Sequence, residues 1–289
     1  MSYLEHHVSA GDGLSLYVRD YGSENRRDTV ICLGGLTRNS KDFHSLASRL
    51  SLCHQVRVIV PDYRGRGRSA YDADWRHYQP RTYLDDIRHL TAALGVHRFA
   101  VVGTSLGGIL AMALGTAMPG AMRGALLNDI GPAIPTTGLE PILAYMRNST
   151  PVSHWEQAVA HLQATFPHLP AHSPEDWQRI AEATYRVNET GQLVFDWDPA
   201  ISRAFAHQDA SSIDLWPYFR SLTRLPVLAV RGALSPFVPD DLWRDMGTAR
   251  PDMPRITVDG VGHAPSLNEP EVVSALEQWF RACFSTSAS

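Results

Sequence analysis

The sequence predicts an α/β fold: a mostly parallel central sheet flanked by helices, with a helical segment inserted into it. Three observations carry that prediction. Short, apolar, β-rich runs recur along the chain, helical segments lie between them, and one stretch of residues, 132–224, breaks the alternation. Strands that alternate with helices form parallel sheets covered on both faces.

Residues 14–21 alternate apolar and polar, as in a half-exposed strand. Compact apolar runs at 29–33, 56–60, 99–102, 125–127, 227–230 and 256–258 suit strands buried on both faces. Helices are predicted at 43–50, 83–94, 106–118 and 239–246. Pro270-Glu271 opens a last helix through Phe284, with Val273, Leu276 and Phe280 on one face. Residues 285–289 read as a frayed tail.

Between residues 132 and 224 no good strand is visible. Helices are expected instead at 139–147, 154–166, 174–187 and 199–207. Ser173-Pro174-Glu175-Asp176 is one such start, an N-cap followed by proline and acids. The expected organisation is a core of residues 1–131 and 225–289, with residues 132–224 inserted as a helical cap.

Composition narrows the classes of function. The 289 residues are 44% hydrophobic and 19% charged with a net charge of −4, which points away from disorder and from nucleic-acid binding. Basic residues are arginine apart from Lys41, the bias of a GC-rich bacterial genome. Cys32, Cys53 and Cys283 are odd in number and lack metal-ligand spacing, so a reducing compartment is favoured over a disulfide framework. The first seven residues lack the basic and apolar regions of a signal peptide, and no apolar run is long enough to span a membrane. A cytoplasmic location is the expectation, with a small-molecule partner and neither nucleic acid nor membrane.

The most informative stretch is Arg98-Phe99-Ala100-Val101-Val102-Gly103-Thr104-Ser105-Leu106-Gly107-Gly108. It is a G-x-S-x-G motif with a β-branched run before it and a helix after it, the context the motif requires. A nucleophile on so sharp a turn sits in strained backbone, and neighbours without a Cβ relieve the crowding. The helix N-terminus sets free amides and a positive dipole beside Ser105, which favours a developing oxyanion. A chance G-x-S-x-G at a glycine-bearing helix start is the competing explanation, and the flanking strand and helix weigh against it.

With these residues in view, the whole chain resembles the capped α/β-hydrolases. The resemblance assigns the oxyanion loop to Leu33-Gly34-Gly35-Leu36-Thr37-Arg38-Asn39-Ser40, after the third strand. The N–H of Leu36 would pair with that of Leu106, and losing one such donor costs about 3–4 kcal/mol of barrier stabilisation. The family often carries His-Gly where this chain has Gly34-Gly35, a departure that spares the backbone role. Val60-Pro61-Asp62-Tyr63-Arg64-Gly65-Arg66-Gly67-Arg68-Ser69 resembles a second family stretch and reads as structural. Asp62, Arg64 and Ser69 are expected to satisfy backbone groups beneath the site.

Serine needs a base. Among thirteen histidines, His263 in Val258-Asp259-Gly260-Val261-Gly262-His263-Ala264-Pro265 follows the last strand on a glycine-bearing loop, and the order serine then histidine matches the family. The acid is less plain. The family places it after the strand at 227–230, where aspartate is expected directly after Ser235, but Pro236 stands there. Proline accepts no hydrogen bond from a histidine N–H through its side chain. Asp129, in Asn128-Asp129-Ile130-Gly131-Pro132 at the end of the preceding strand, is favoured as the replacement, although the same residues suit a structural turn into the cap. Asp240 and Asp241 are alternatives, and both also suit the first turn of a helix. A Ser–His dyad without an acid is the third option.

The expected reaction is acyl transfer to water on a small or medium carboxylic ester with an apolar part, using Ser105, His263 and Asp129, with no cofactor and no metal. Serine at the turn argues against the dehalogenase and epoxide hydrolase branches, which need aspartate there. The aromatics Trp155, Phe166, Trp177, Tyr185, Trp197, Phe205, Trp216, Tyr218 and Phe219 are candidates for an apolar pocket or for ordinary packing. Because of Pro236, two alternatives stand beside the esterase: a cofactor-independent lyase or cyclase, and a non-catalytic ligand-binding member of the fold.

Overall fold

A computed structural model describes residues 2–23, 28–147, 150–206 and 213–284. The strands are β1 (Leu4–Ser9), β2 (Ser15–Tyr21), β3 (Thr29–Leu33), β4 (Arg57–Pro61), β5 (Phe99–Thr104), β6 (Met122–Asn128), β7 (Tyr185–Val187), β8 (Leu193–Phe195), β9 (Val227–Gly232) and β10 (Arg255–Val258). The helices are α1 (His44–His54), α2 (Pro80–Ala93), α3 (Leu106–Ala117), α4 (Thr136–Arg147), α5 (Trp155–Thr165), α6 (Pro174–Thr184), α7 (Ile201–Ala206), α8 (Trp216–Ser221), α9 (Asp240–Ala249) and α10 (Pro270–Phe284).

Eight strands form one sheet in the order β1-β2-β4-β3-β5-β6-β9-β10. Only the pairs β1/β2 and β2/β4 are antiparallel. The other five run parallel, so the C-terminal ends of β3, β5, β6, β9 and β10 share one edge. Alternate residues of each inner strand enter opposite cores. Ile31, Leu33, Val101 and Leu127 pack with α2 and α3, whereas Val30, Cys32, Val102 and Leu126 pack with α1 and α10. Continuous apolar runs are what a sheet buried on both faces requires. No helix is long and apolar enough to cross a membrane among the described residues.

The structure corrects several expectations. β1 was not foreseen: Leu-Glu-His-His-Val-Ser buries only Val8, so an exposed edge strand leaves almost no hydrophobic pattern. Residues 132–224 do contain strands. The helix expected at 174–187 stops at Thr184, and residues 185–187 pair as β7 with β8. The cause is the turn between them, where Asn188 Oδ1 accepts from the N–H groups of Thr190 and Gln192. The short helix α8 was also unforeseen. In α10 the fully buried positions are Val272, Leu276, Trp279, Phe280 and Cys283, so Val272 rather than Val273 faces the core. The expected tail at 285–289 and His207, the last residue of the helix expected at 199–207, lie outside the described residues.

Candidate active site

Ser105 stands between β5 and α3 at φ +54° and ψ −117°, a backbone conformation that L-residues rarely hold. The sequence permits it by removing side chains nearby. A Cβ at Gly103 would lie 2.3 Å from the Gly107 carbonyl oxygen, and one at Gly107 would lie 2.0 Å from that of Leu33. Ser105 N–H donates to Asn128 O at 2.9 Å, and Ser105 O accepts from Gly108 and Ile109 as α3 begins. The turn is thereby tied to β6 on one side and to the helix on the other.

Leu106 is the first residue of α3, so its N–H has no intrahelical acceptor. The loop after β3 lies against it. A Cβ at Gly35 would be 3.7 Å from Ser105 Cβ. Gly35 O accepts from Arg38 N–H at 3.1 Å, which fixes the plane of the Gly35–Leu36 peptide. In a trans peptide the N–H of Leu36 then points opposite to that carbonyl. Two side chains hold the peptides on either side. Tyr63 Oη donates to Gly34 O at 3.2 Å, and Arg66 Nε donates to Leu36 O at 3.0 Å.

Arg66 is one residue that sequence reasoning missed. It is fully buried, it also donates to Arg64 O and Tyr83 Oη, and its guanidinium lies 4.7 Å from the centre of the Tyr83 ring. The signal was the Arg-x-Arg-x-Arg spacing in a glycine loop, which does not say which arginine turns inward. Asp62 and Ser69 behave as expected: Asp62 accepts from Ser40 and Arg68 N–H, and Ser69 Oγ bridges Asp62 O and Tyr17 N–H. Burial pushes the Asp62 carboxyl above its ordinary value. Arg64 does not satisfy backbone. It donates to the carboxylates of Asp86, Asp12 and Asp72.

Asp129 is fully buried at the end of β6, at φ +57°. Its N–H donates to Val230 O at 2.8 Å, and its Oδ1 accepts from Gly232 N–H at 2.9 Å. Oδ2 lies 2.6 Å from His263 Nδ1. A carboxylate only accepts, so this contact puts the imidazole proton on Nδ1 and leaves Nε2 as the basic nitrogen. The histidine loop is held in place by Asn128, whose Nδ2 donates to Thr104 Oγ1 and Pro265 O. Gly232 lets β9 approach that loop, since a Cβ there would lie 2.4 Å from the Gly262 carbonyl oxygen.

Asp240 and Asp241 are not at the histidine. Asp240 is exposed and pairs with Arg231 at 2.7 Å, and Asp241 caps the N–H of Leu242. Pro236 itself is exposed, but the next residue, Phe237, is buried and stacks on the His263 ring with centroids 4.0 Å apart at 27°. Gly138 of α4 faces the same phenyl ring.

Residues between β6 and β9 close onto this edge. His168 O accepts from Gly262 N–H, Thr184 Oγ1 accepts from Arg38, and Asp196 O accepts from Gly67 N–H. One group among the described residues has metal-ligand chemistry, Asp12, Asp72 and His77, but Arg64 Nη1 donates to both carboxylates, so a cation already sits there.

A model of the alpha/beta hydrolase family matches residues 30–276. A 3-hydroxybutyrate-oligomer hydrolase of Cupriavidus necator is 32% identical over 90% of this chain and 91% of its own. A 2-(acetamidomethylene)succinate hydrolase of Mesorhizobium japonicum is 31% identical over 90% of this chain and 88% of its own. The crystal structure of an alpha/beta hydrolase from Novosphingobium aromaticivorans superposes with a TM-score of 0.91 at 36% identity, covering 97% of this chain and 98% of that one.

Proposed function

The chain belongs to the alpha/beta hydrolase family, and we propose that it is a serine hydrolase that cleaves a carboxylic ester through an acyl-enzyme. One observation carries the reading: a buried carboxylate, Asp129, engages His263 Nδ1 at 2.6 Å on the same sheet edge as the strained Ser105 turn. His263 Nε2 takes the Ser105 proton as Oγ attacks the ester carbonyl. The N–H groups of Leu36 and Leu106 stabilise the tetrahedral oxyanion. His263 then protonates the leaving alcohol and activates the water that frees the acid. Asp129 holds the tautomer and stabilises the transient imidazolium.

Residues 132–224 act as the cap over the core of residues 1–131 and 225–289. Support comes from their bonds to the loop after β3 and to the histidine loop. The substrate is an ester of a short hydroxy acid, following the relative from Cupriavidus necator. A cytoplasmic location agrees with three free cysteines. The reading of a non-catalytic binder drew its weight from Pro236, and the Asp129–His263 contact supports the hydrolase reading over it.

The test is a fluorophosphonate probe with mass-spectrometric mapping, beside turnover of p-nitrophenyl butyrate. An adduct on Ser105 with activity lost in Ser105→Ala supports the proposal. No adduct and no turnover would sink it, and turnover that survives Ser105→Ala would point to a lyase or cyclase dependent on His263.

A further inference from the structure

Arg66 is a buried cation that pairs with no carboxylate among the described residues. Its three hydrogen bonds go to uncharged oxygens: Nε donates to Leu36 O, and Nη1 donates to Arg64 O and Tyr83 Oη. Nη2 is buried as well and makes no hydrogen bond. The carboxylates of the surrounding loops are engaged elsewhere. Asp12, Asp72 and Asp86 hold Arg64, Asp62 accepts from Ser40 and Arg68 N–H, and Asp198 accepts from Tyr78 Oη at 2.6 Å.

Tyrosines enclose it instead. The guanidinium carbon lies 4.7 Å from the centre of the Tyr83 ring and 5.8 Å from those of Tyr63 and Tyr78. An aromatic face attracts a cation through its quadrupole but carries no net charge. The rings therefore hold the guanidinium in place and leave its positive charge un-neutralised. The backbone is fixed as well: Arg66 bridges to Trp197, Gly67 N–H donates to Asp196 O, and Asp198 N–H donates to Gly65 O. Gly65 gives Tyr78 its room, since a Cβ there would lie 2.6 Å from the Tyr78 ring.

An unpaired charge at this depth is costly, and stability alone gives no reason to keep one. Its position supplies a reason. Nε lies 3.0 Å from Leu36 O, and three bonds separate that oxygen from the Leu36 nitrogen. The cation thus sits within about 7 Å of the Leu36 N–H, directly behind the oxyanion loop. A fixed positive charge in a water-poor interior favours negative charge that develops nearby, and it needs no reorganisation when that charge appears.

We propose that Arg66 is a positioning residue of the oxyanion loop, whose un-neutralised charge favours the tetrahedral oxyanion over the neutral ester. The proposal rests on the reading of Ser105 as the acyl-enzyme nucleophile and of Leu36 as an oxyanion donor. Arg66 is fully buried and does not reach the substrate. It acts through Leu36, holding the loop by one hydrogen bond and setting a full charge behind it. An uncharged ester gains little from that charge before the attack, so the effect falls on kcat and leaves KM alone.

The experiment compares Arg66→Gln with Arg66→Lys on p-nitrophenyl butyrate. Both keep a donor for Leu36 O, and only lysine keeps the charge. Rates are referred to the fraction of chains that a fluorophosphonate labels at Ser105, so misfolded protein does not count. Arg66→Gln is expected to lower kcat about tenfold with KM within twofold, and Arg66→Lys to stay within about threefold of the native kcat. The inhibition constant of an alkylboronic acid, which serine captures as a tetrahedral anion, is expected to weaken about tenfold in Arg66→Gln and to follow kcat. Arg66→Met is the second neutral variant, with the same expected loss, should the glutamine variant not fold. A native kcat in a folded neutral variant, equal losses for lysine and glutamine, or a loss confined to KM overturns the proposal. A native chain without turnover or label overturns the acyl-enzyme reading itself, and the proposal with it.

Discussion

Asp129 Oδ2 and His263 Nδ1 lie 2.6 Å apart across 134 residues of chain, and Asp129 follows the strand beside the one that leads into Ser105. The pairing defines what a change at Asp129 does. Asn at this position keeps an oxygen for the Gly232 N–H but turns an amide toward the imidazole, which favours the wrong tautomer. Asp129→Asn is expected to lower kcat by about four orders of magnitude with the fold intact. Asp240→Asn, at an exposed ion pair, is expected to leave kcat within twofold. Steady-state assays of both variants check the assignment; a normal rate for Asp129→Asn would refute it.

Phe237 stacks on the His263 ring and fixes its plane. Aromatic pairs of this kind contribute about 0.5–1.5 kcal/mol beyond their buried area. Phe237→Leu keeps most of the volume and loses the stack. The expected result is a fall in kcat of up to about tenfold with KM little changed. An equal loss in both parameters would assign Phe237 to the substrate instead.

Gly35 and Gly107 both flank Ser105, but their surroundings differ. A Cβ at Gly107 would sit 2.0 Å from a backbone oxygen, whereas one at Gly35 finds nothing nearer than 3.4 Å. Gly107→Ala is expected to prevent stable folding or to lower Tm by more than 10 °C, an effect of a few kcal/mol. Gly35→Ala is expected to fold with a Tm within a few degrees of the native chain. Thermal melts of the two proteins decide it.

Arg64 lies among Asp12, Asp72 and Asp86. Arg64→Met leaves buried carboxylates uncompensated and is expected to cost about 3–5 kcal/mol of stability. The pH dependence has a sign. The hydrogen bond from Arg64 holds Asp12 below its ordinary value of 3.8, and hydrogen bonds from Asp74, His77 and Arg64 outweigh the burial that would raise Asp72. Their contribution is full above the unfolded aspartate value and is lost as pH falls through the lower folded values. Burial raises Asp86, which works in the opposite direction and narrows the effect. Denaturant melts of the native chain between pH 7 and pH 3 are expected to fall more steeply than those of Arg64→Met.

The parallel strands and the serine turn were legible because their signals are local. Phe99 to Val102 is an apolar run, and the glycines around Ser105 answer backbone contacts of the turn itself. His263 could be found because it follows the last strand. Asp129 was harder, since its partner lies far along the chain and the same residues also suit a turn. Arg66 and Phe237 were not legible at all. Their roles depend on which way a loop side chain faces, and no periodicity records that. β1 failed for the converse reason, because an exposed edge strand buries too little to pattern its sequence, and β7 and β8 failed because three residues are too few to show a period.

On the proposed assignment, with Asp129 as the acid, the loop after β9 is released from supplying one. Residues 233–236 connect the sheet to Phe237 and contribute no carboxylate to His263, and Leu234 and Pro236 are exposed. The exposed positions Leu234 and Pro236 can therefore be recomposed without taking a carboxylate from His263, while Ser235 and Phe237, which tie the loop to the imidazole, have to stay. In a chain whose acid sits on the loop itself, the same edits would silence the enzyme.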